Sequence, residues 1–243
     1  MLNVYSQSDI GLVRNLNEDT CSVGVLDGNA AWVVVCDGMG GANGGSVASS
    51  MAVSQISEQI QSLYRKDSSG NSVRNLITAS LTNANLSIFN KAKEQEELKG
   101  MGTTAVVAIV CDGVAHIAHA GDSRAYLITD TGMKQLTTDH SMVQELVKNG
   151  DLTEQEAKVH PQKNIITRAL GVQPTIELDY CEYDFSNGSL LLVCTDGLTN
   201  YVDEELIYRL SKEHHANSLV NQLISHAKDG GGGDNITVAI VEN

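Results

Sequence analysis

Five aspartates stand where an apolar run meets a turn. Asp37 ends WVVVC and is followed by GMGGANGG. Asp196 closes SLLLVCT before a glycine. Asp234 follows four glycines and opens ITVAIV. Asp19, with Glu18 before it, opens another strand pattern, and Asp122 sits between Gly121 and Ser123 in HAGDSRAYL. If those strands lie side by side, the acids at their ends converge. Converging carboxylates repel, so either a positive group holds them or their pKa values rise. The bases nearby in sequence are Arg14, before Asp19, and Arg124, after Asp122. No His or Cys shares these positions at ligand spacing, and an all-oxygen set suits Mg²⁺ or Mn²⁺ rather than zinc. Gly38, lacking a side chain, leaves its carbonyl free to reach a metal as well. Two such ions would acidify a bridging water and neutralise a phosphate during in-line attack.

Each acid taken alone has a plainer reading, and the Asp-Gly pairs offer a comparison. Asp27-Gly28 and Asp112-Gly113 lie between strand patterns and read as hairpin turns. Asp229-Gly230 follows a helical pattern, where a glycine cap is expected. Asp37 and Asp196 differ, because a helix rather than a returning strand follows each.

The elements that would position these acids follow from periodicity. Strands are expected at 20–26 and 30–36, and helices at 46–65 and 72–93, where apolar residues recur at helical spacing. From Thr103 the pattern turns to strand through RAYLIT. Residues 139–170 are polar, with short helical pieces, and read as a surface excursion. Strands return near 175–183 and 189–194, helices near 203–212 and 216–228, and NITVAIVE closes the chain. Hairpin-type connections dominate, so two mainly antiparallel sheets packed face to face with helix pairs outside are expected, in one domain over 1–243. No repeat of solenoid length occurs.

The chain has 243 residues and a formal net charge of −14. That charge disfavours nucleic acid and anionic membranes as partners. No apolar run is long enough for a membrane span and no signal peptide is evident, so a cytoplasmic protein is expected. The five cysteines contain no C-x-x-C, which fits free thiols in a reducing compartment.

The motifs SDIGLVRNLNEDT, VVVCDGMGG, GMGTTAVVAIV, HAGDSRAYLI, QLTTDHS, NIITRALG, LLVCTDGL and GGGGDNITVAIV occur in this order from Ser8 to Val241. Together they resemble the metal-dependent protein serine/threonine phosphatases of type 2C, in their short bacterial form. The resemblance implies an α+β fold, a four-layer α-β-β-α sandwich. It implies two Mn²⁺ or Mg²⁺ ions, with a weaker third, and hydrolysis of phosphoserine or phosphothreonine in proteins by direct attack of a metal-bridged water. By motif match, Asp37 would bridge both ions and Gly38 would lend its carbonyl. Asp196 and Asp234 would hold the first ion. Asp19 would sit by the second, with Glu18 reaching it through water. Asp122 would help Asp196 hold the third, and Arg14 would grip the phosphate. The 139–170 stretch would be a mobile flap with a role in substrate selection. A cognate kinase acting on the same substrates, and a monomeric state, are expectations of the same kind. Where some members of the family carry His or Glu, this chain has Met39, Ala42 and Ser46. No side-chain general acid is therefore identified, and a metal-bound water is expected to serve.

Other readings fit less well. Asn43 stands where a dinucleotide fingerprint needs glycine, no Lys lies in 38–50 for a Walker loop, and EF-hand spacing is missing. His116 and His119, three apart in a strand, should face opposite sides. His214 and His215 should be solvated at a helix start, and His140 should make structural hydrogen bonds.

Overall fold

The computed structural model describes residues 1–40 and 44–243. Gly41, Ala42 and Asn43, including the Ala42 position singled out above, lie outside the described residues. Among the described residues, eleven strands form two antiparallel sheets. The first sheet contains β1 (Asn3–Asp9), β7 (Arg124–Thr129), β8 (Gly132–Gln135), β10 (Leu190–Cys194) and β11 (Ile236–Glu242), in the order β1-β11-β10-β7-β8. The second contains β2 (Asp19–Leu26), β3 (Ala30–Met39), β5 (Ala105–Cys111), β6 (Val114–Ala120) and β9 (Asp179–Asp184), in the order β2-β3-β5-β6-β9, with β4 (Gly102–Thr103) added on β3.

Alternation along the strands builds the layers. On β3, Ala30, Trp32, Val34 and Cys36 pack under α1 (Gly44–Leu63) and α2 (Gly70–Glu94), with Ile56, Ile60, Ile77 and Leu81 above them. Ala31, Val33 and Val35 point the other way and meet Leu191, Val193, Ala239 and Val241 of the first sheet. The outer face of that sheet, through Leu192, Val238 and Ile240, is covered by α6 (Glu204–Glu213) and α7 (Ala216–Asp229). The result is the expected four-layer α-β-β-α sandwich. The same parity carries Asp37 onto the face between the sheets, two residues beyond Val35.

Asp112 (φ 50°) and Gly113 (φ 75°) make the expected two-residue hairpin, and Gly28 and Asn29 also carry positive φ in the β2–β3 turn. At the end of α7, Gly230 is the cap but stays right-handed at φ −74°; Gly231 and Gly232 take the left-handed turn that follows. β1 and β8 were not expected from the sequence. β1 is an edge strand with no fully buried side chain, so its fold comes from pairing with β11 rather than from an apolar pattern. Helix α1 begins two residues before the expected start and β9 begins at Asp179 rather than near 175.

The 139–170 stretch holds α3 (Met142–Asn149) and α4 (Glu154–Val159), each with a hydroxyl N-cap, Ser141 and Thr153. Its two ends are tied together: Thr167 N donates to His140 O at 2.8 Å and Met142 N to Ile165 O at 2.8 Å. Among the described residues, no helix is long and apolar enough to cross a membrane.

Candidate active site

Asp19 and Asp37 are direct partners in the β2–β3 ladder, both on the face between the sheets. Asp196 opens α5 (Asp196–Thr199) immediately after β10, and Asp234 lies just before β11, the strand paired with β10. Asp122 precedes β7, the other neighbour of β10. The five acids thus arrive from both sheets at one end of the inter-sheet layer. Each now modifies the others. Burial, then the charges of Asp19, Asp196, Asp122 and Asp234, hold the Asp37 carboxyl well above its usual range. Asp19 is pushed up to about 7 by burial, with Asp196 and Asp234 adding to it. Burial and the Asp196 charge raise Asp122 to about 7 as well, and burial and Asp234 raise Asp196.

The polar frame around them is specific. Thr195 Oγ1 donates to Asp19 Oδ2 at 2.8 Å and itself accepts from Thr237 N at 3.0 Å. Asp37 N donates to Thr104 Oγ1 at 3.0 Å, while Thr104 N and Thr103 Oγ1 both donate to Asp37 O, at 2.8 and 2.9 Å. Asn200 Nδ2 donates to Asp196 Oδ2 at 3.0 Å. Asn235 uses its whole amide on the loop before β2: Nδ2 donates to Ile10 O and Leu16 O at 2.9 and 3.0 Å, and Oδ1 accepts from Glu18 N at 2.8 Å. That loop carries Arg14, whose Nη2 lies 2.9 Å from Asp234 Oδ2. The threonines and asparagines of this frame were missed in the sequence reading. They stand in GMGTT, LLVCTDGL, DGLTN and DNIT, but nothing local marks them out, because most of the partners that give them a role are distant in the chain.

Gly38 has a packing reason beside any role of its carbonyl. A Cβ there would run into the Gly45 carbonyl and lie 2.7 Å from Glu18 O. Gly197 faces the Asn235 carbonyl in the same way. Arg124 compensates the pocket only in part: its Nε and Nη2 fork onto Asp139 at 3.0 and 2.7 Å, while its charge opposes the upward push on Asp122 and Asp196 without cancelling it.

The residues present fit hard divalent cations. Among the described residues, Asp19 Oδ1 and Glu18 Oε1 are buried with no hydrogen-bond partner, and buried acceptors without a donor are costly unless a cation takes that place. Burial raises the Glu18 carboxyl, opposed by the Arg14 charge.

A second group, His119, His140 and Asp179, presents one donor atom from each residue, all within 4.8 Å of one another. It contains none of the acids above and was not anticipated as a cluster, because its members come from β6, the start of the 139–170 stretch and β9. The two imidazoles stack, 4.6 Å between centroids and 7° between planes. Parallel stacked rings aim their lone pairs in parallel rather than at one point, and Arg168 Nη1 already supplies a cation at 2.8 Å from Asp179 Oδ1. Gly121 N donates to His140 Nδ1 at 3.2 Å, so His140 takes the hydrogen-bonding role expected of it. His116 lies on the other face, with Nδ1 2.8 Å from the Tyr180 hydroxyl. His214 ends α6 and His215 starts α7.

A groove of about 820 Å³ opens from Asp122 and Asp196 between the 139–170 stretch and the α5–α6 region.

Known proteins resemble this chain in sequence and fold. The family model described as protein phosphatase 2C matches residues 13–229. The serine/threonine phosphatase stp of Listeria monocytogenes is 38% identical over 240 residues, 97% of this chain and 94% of that protein. The structure of serine/threonine phosphatase Stp1 from Staphylococcus aureus is 34% identical, with a TM-score of 0.94 over 100% of this chain and 95% of that one. A PstP catalytic domain in complex with two manganese ions is 30% identical, with a TM-score of 0.86 over 99% of this chain and 97% of that one. These likenesses, with the all-oxygen donor set, support the use of a divalent metal. The chain belongs to the protein phosphatase 2C family and is a protein serine/threonine phosphatase.

Proposed function

We propose that the aspartate pocket hydrolyses phosphoserine and phosphothreonine in proteins with two Mn²⁺ or Mg²⁺ ions, and that the acids assigned by motif match are their ligands. The observation that supports this most is the crowding of Asp19, Asp37, Asp122, Asp196 and Asp234, with Asp19 Oδ1 left unpartnered. When bound, the ions supply a more acidic water and neutralise phosphate charge.

The chain's own residues do the rest. Asp37 faces Asp19 across the ladder and would be a ligand shared by the ions, with Gly38 lending its carbonyl. Asp196 and Asp234, on adjoining strand ends, would hold the first ion. Asp19 would hold the second, with Glu18 behind it. Asp122 would join Asp196 toward a weaker third. Arg14, held at the pocket edge by Asp234, turns its remaining N–H groups to phosphate oxygens. Met39 and Ser46 offer no acid at neutral pH, so solvent in the pocket protonates the departing alkoxide. The whole chain acts as one domain, and the 139–170 stretch is the flap that flanks the substrate. A monomer in the cytoplasm, opposing a serine/threonine kinase, fits this reading.

Phosphate release from phosphothreonine and phosphotyrosine peptides, with manganese and with excess chelator, tests it. Release from the phosphothreonine peptide that needs manganese is expected. Equal turnover in chelator would contradict the metal role.

A further inference from the structure

One chain of hydrogen bonds joins the flap to the acids. Across the groove, Lys163 Nζ donates to Asn200 Oδ1 at 2.7 Å, and Asn200 Nδ2 donates to Asp196 Oδ2 at 3.0 Å. We infer that Lys163 is a positioning residue for Asp196, acting through the Asn200 amide, so that the seating of the flap sets the orientation of that carboxylate. The inference rests on the reading of Asp196 as an ion ligand.

The chemistry at the two ends allows only one arrangement of the amide. An ammonium group only donates and an ionised carboxylate only accepts. With Lys163 in place, a flipped Asn200 would set N–H against ammonium and carbonyl against carboxylate. Without Lys163, water can serve the exposed amide in either orientation, and the flipped form would repel Asp196 Oδ2. Lys163 therefore reinforces the orientation that the carboxylate itself favours, and fixes the amide that ties Oδ2 down. The local backbone makes the link short. Asn200 caps the single turn of α5, with its N–H donating to Asp196 O at 2.8 Å, so its side chain lies one turn above Asp196 on the same face. Lys163 is fixed on its own side by a backbone bond to His160 O at 3.1 Å.

Plainer roles, in which Lys163 only fastens the flap, touches substrate or acts on Asp196 by its charge alone, make a different prediction, because they do not pass through Asn200. A double-mutant cycle on the full chain separates them: Lys163→Met, Asn200→Leu and the pair, with Lys163→Arg as the conservative variant. The readouts are manganese affinity by titration calorimetry and kcat and KM for p-nitrophenyl phosphate. Residues behind a metal ligand typically change affinity by about tenfold or more when removed. Each single substitution is expected to weaken manganese binding by about that factor. The double variant should be no weaker than Asn200→Leu alone, and Lys163→Arg should return to within about twofold of the parent, since the coupling runs through one amide. An additive cycle overturns the relay. So does a Lys163→Met variant that raises KM while manganese affinity stays unchanged. A parent protein that takes up no manganese overturns the metal reading together with this one, whereas additivity in a parent that binds overturns the relay alone. Both positions are solvent-accessible, and an unchanged unfolding midpoint in chelator checks that the variants fold.

Discussion

Asp37 is the residue at which burial and charge meet most severely, and its substitution separates the two roles of a crowded acid. With four neighbouring carboxylates raising its pKa, Asp37→Asn removes repulsion as well as the proposed ligand. Turnover should fall by about 10³-fold or more, the equivalent of several kcal/mol of lost charge stabilisation, while the unfolding midpoint in chelator should rise. The pH dependence follows from the raised values. Asp19 and Asp122 stand at about 7 in the fold and near 3.9 in an unfolded chain. Between those limits the folded state binds more protons, so the metal-free protein loses stability as pH climbs from about 4 to 7. The advantage of Asp37→Asn over the parent should therefore widen between pH 5 and 8 in chelator; a gap that narrows contradicts the crowding. Burial lowers His140 to about 4, and it gives the opposite slope below its unfolded value, which is why the difference between variant and parent is the quantity to measure. Arg14→Ala, by contrast, should raise KM for a phosphopeptide about tenfold and change kcat less, the mark of lost ground-state binding; steady-state kinetics with the reverse pattern would remove the phosphate-anchor role.

At the scale of elements, the pocket depends on segments held by side chains rather than by regular structure. Asn235 closes the loop of residues 10–18 with three hydrogen bonds. Asn235→Ala leaves two carbonyls and an N–H without their partner, which should destabilise the protein by about 1–3 kcal/mol. It should also raise KM through the loosened Arg14, as read from urea unfolding and phosphopeptide kinetics. Gly38→Ala sets a methyl against the Gly45 carbonyl at the start of α1. A loss of about 1–3 kcal/mol is expected from that overpacking, measured by the same unfolding. These examples also show what the sequence conveys. The strand ends that carry Asp37, Asp196 and Asp234 were legible, because apolar runs broken by Asp-Gly or a glycine string leave a strong local signal. Thr104, Thr195 and Asn235 were not, since their partners for the bonds that matter lie 42 to 225 residues away; Asn200 is four residues from Asp196, but its other partner, Lys163, lies 37 residues away across the groove. Edge strand β1 escaped for the related reason that a partner strand, not its own pattern, makes it a strand. The packing reason for Gly38 likewise needs the position of α1.

For the molecule as a whole, three apolar layers in a sandwich hold two sheets in register so that carboxylates from five separate stretches meet at one end. The fold thereby stores repulsion that divalent cations relieve, and binding should appear as stability. An ion at a hundred times its dissociation constant adds about 2.7 kcal/mol, or about 5–10 °C in a chain of this size. The direct test is the thermal unfolding midpoint of the parent protein in a manganese titration, at pH 7.5, against excess chelator. The midpoint should climb with manganese and fall back when the ion is chelated. A midpoint that manganese leaves unmoved, in a protein that is folded throughout, would contradict the account.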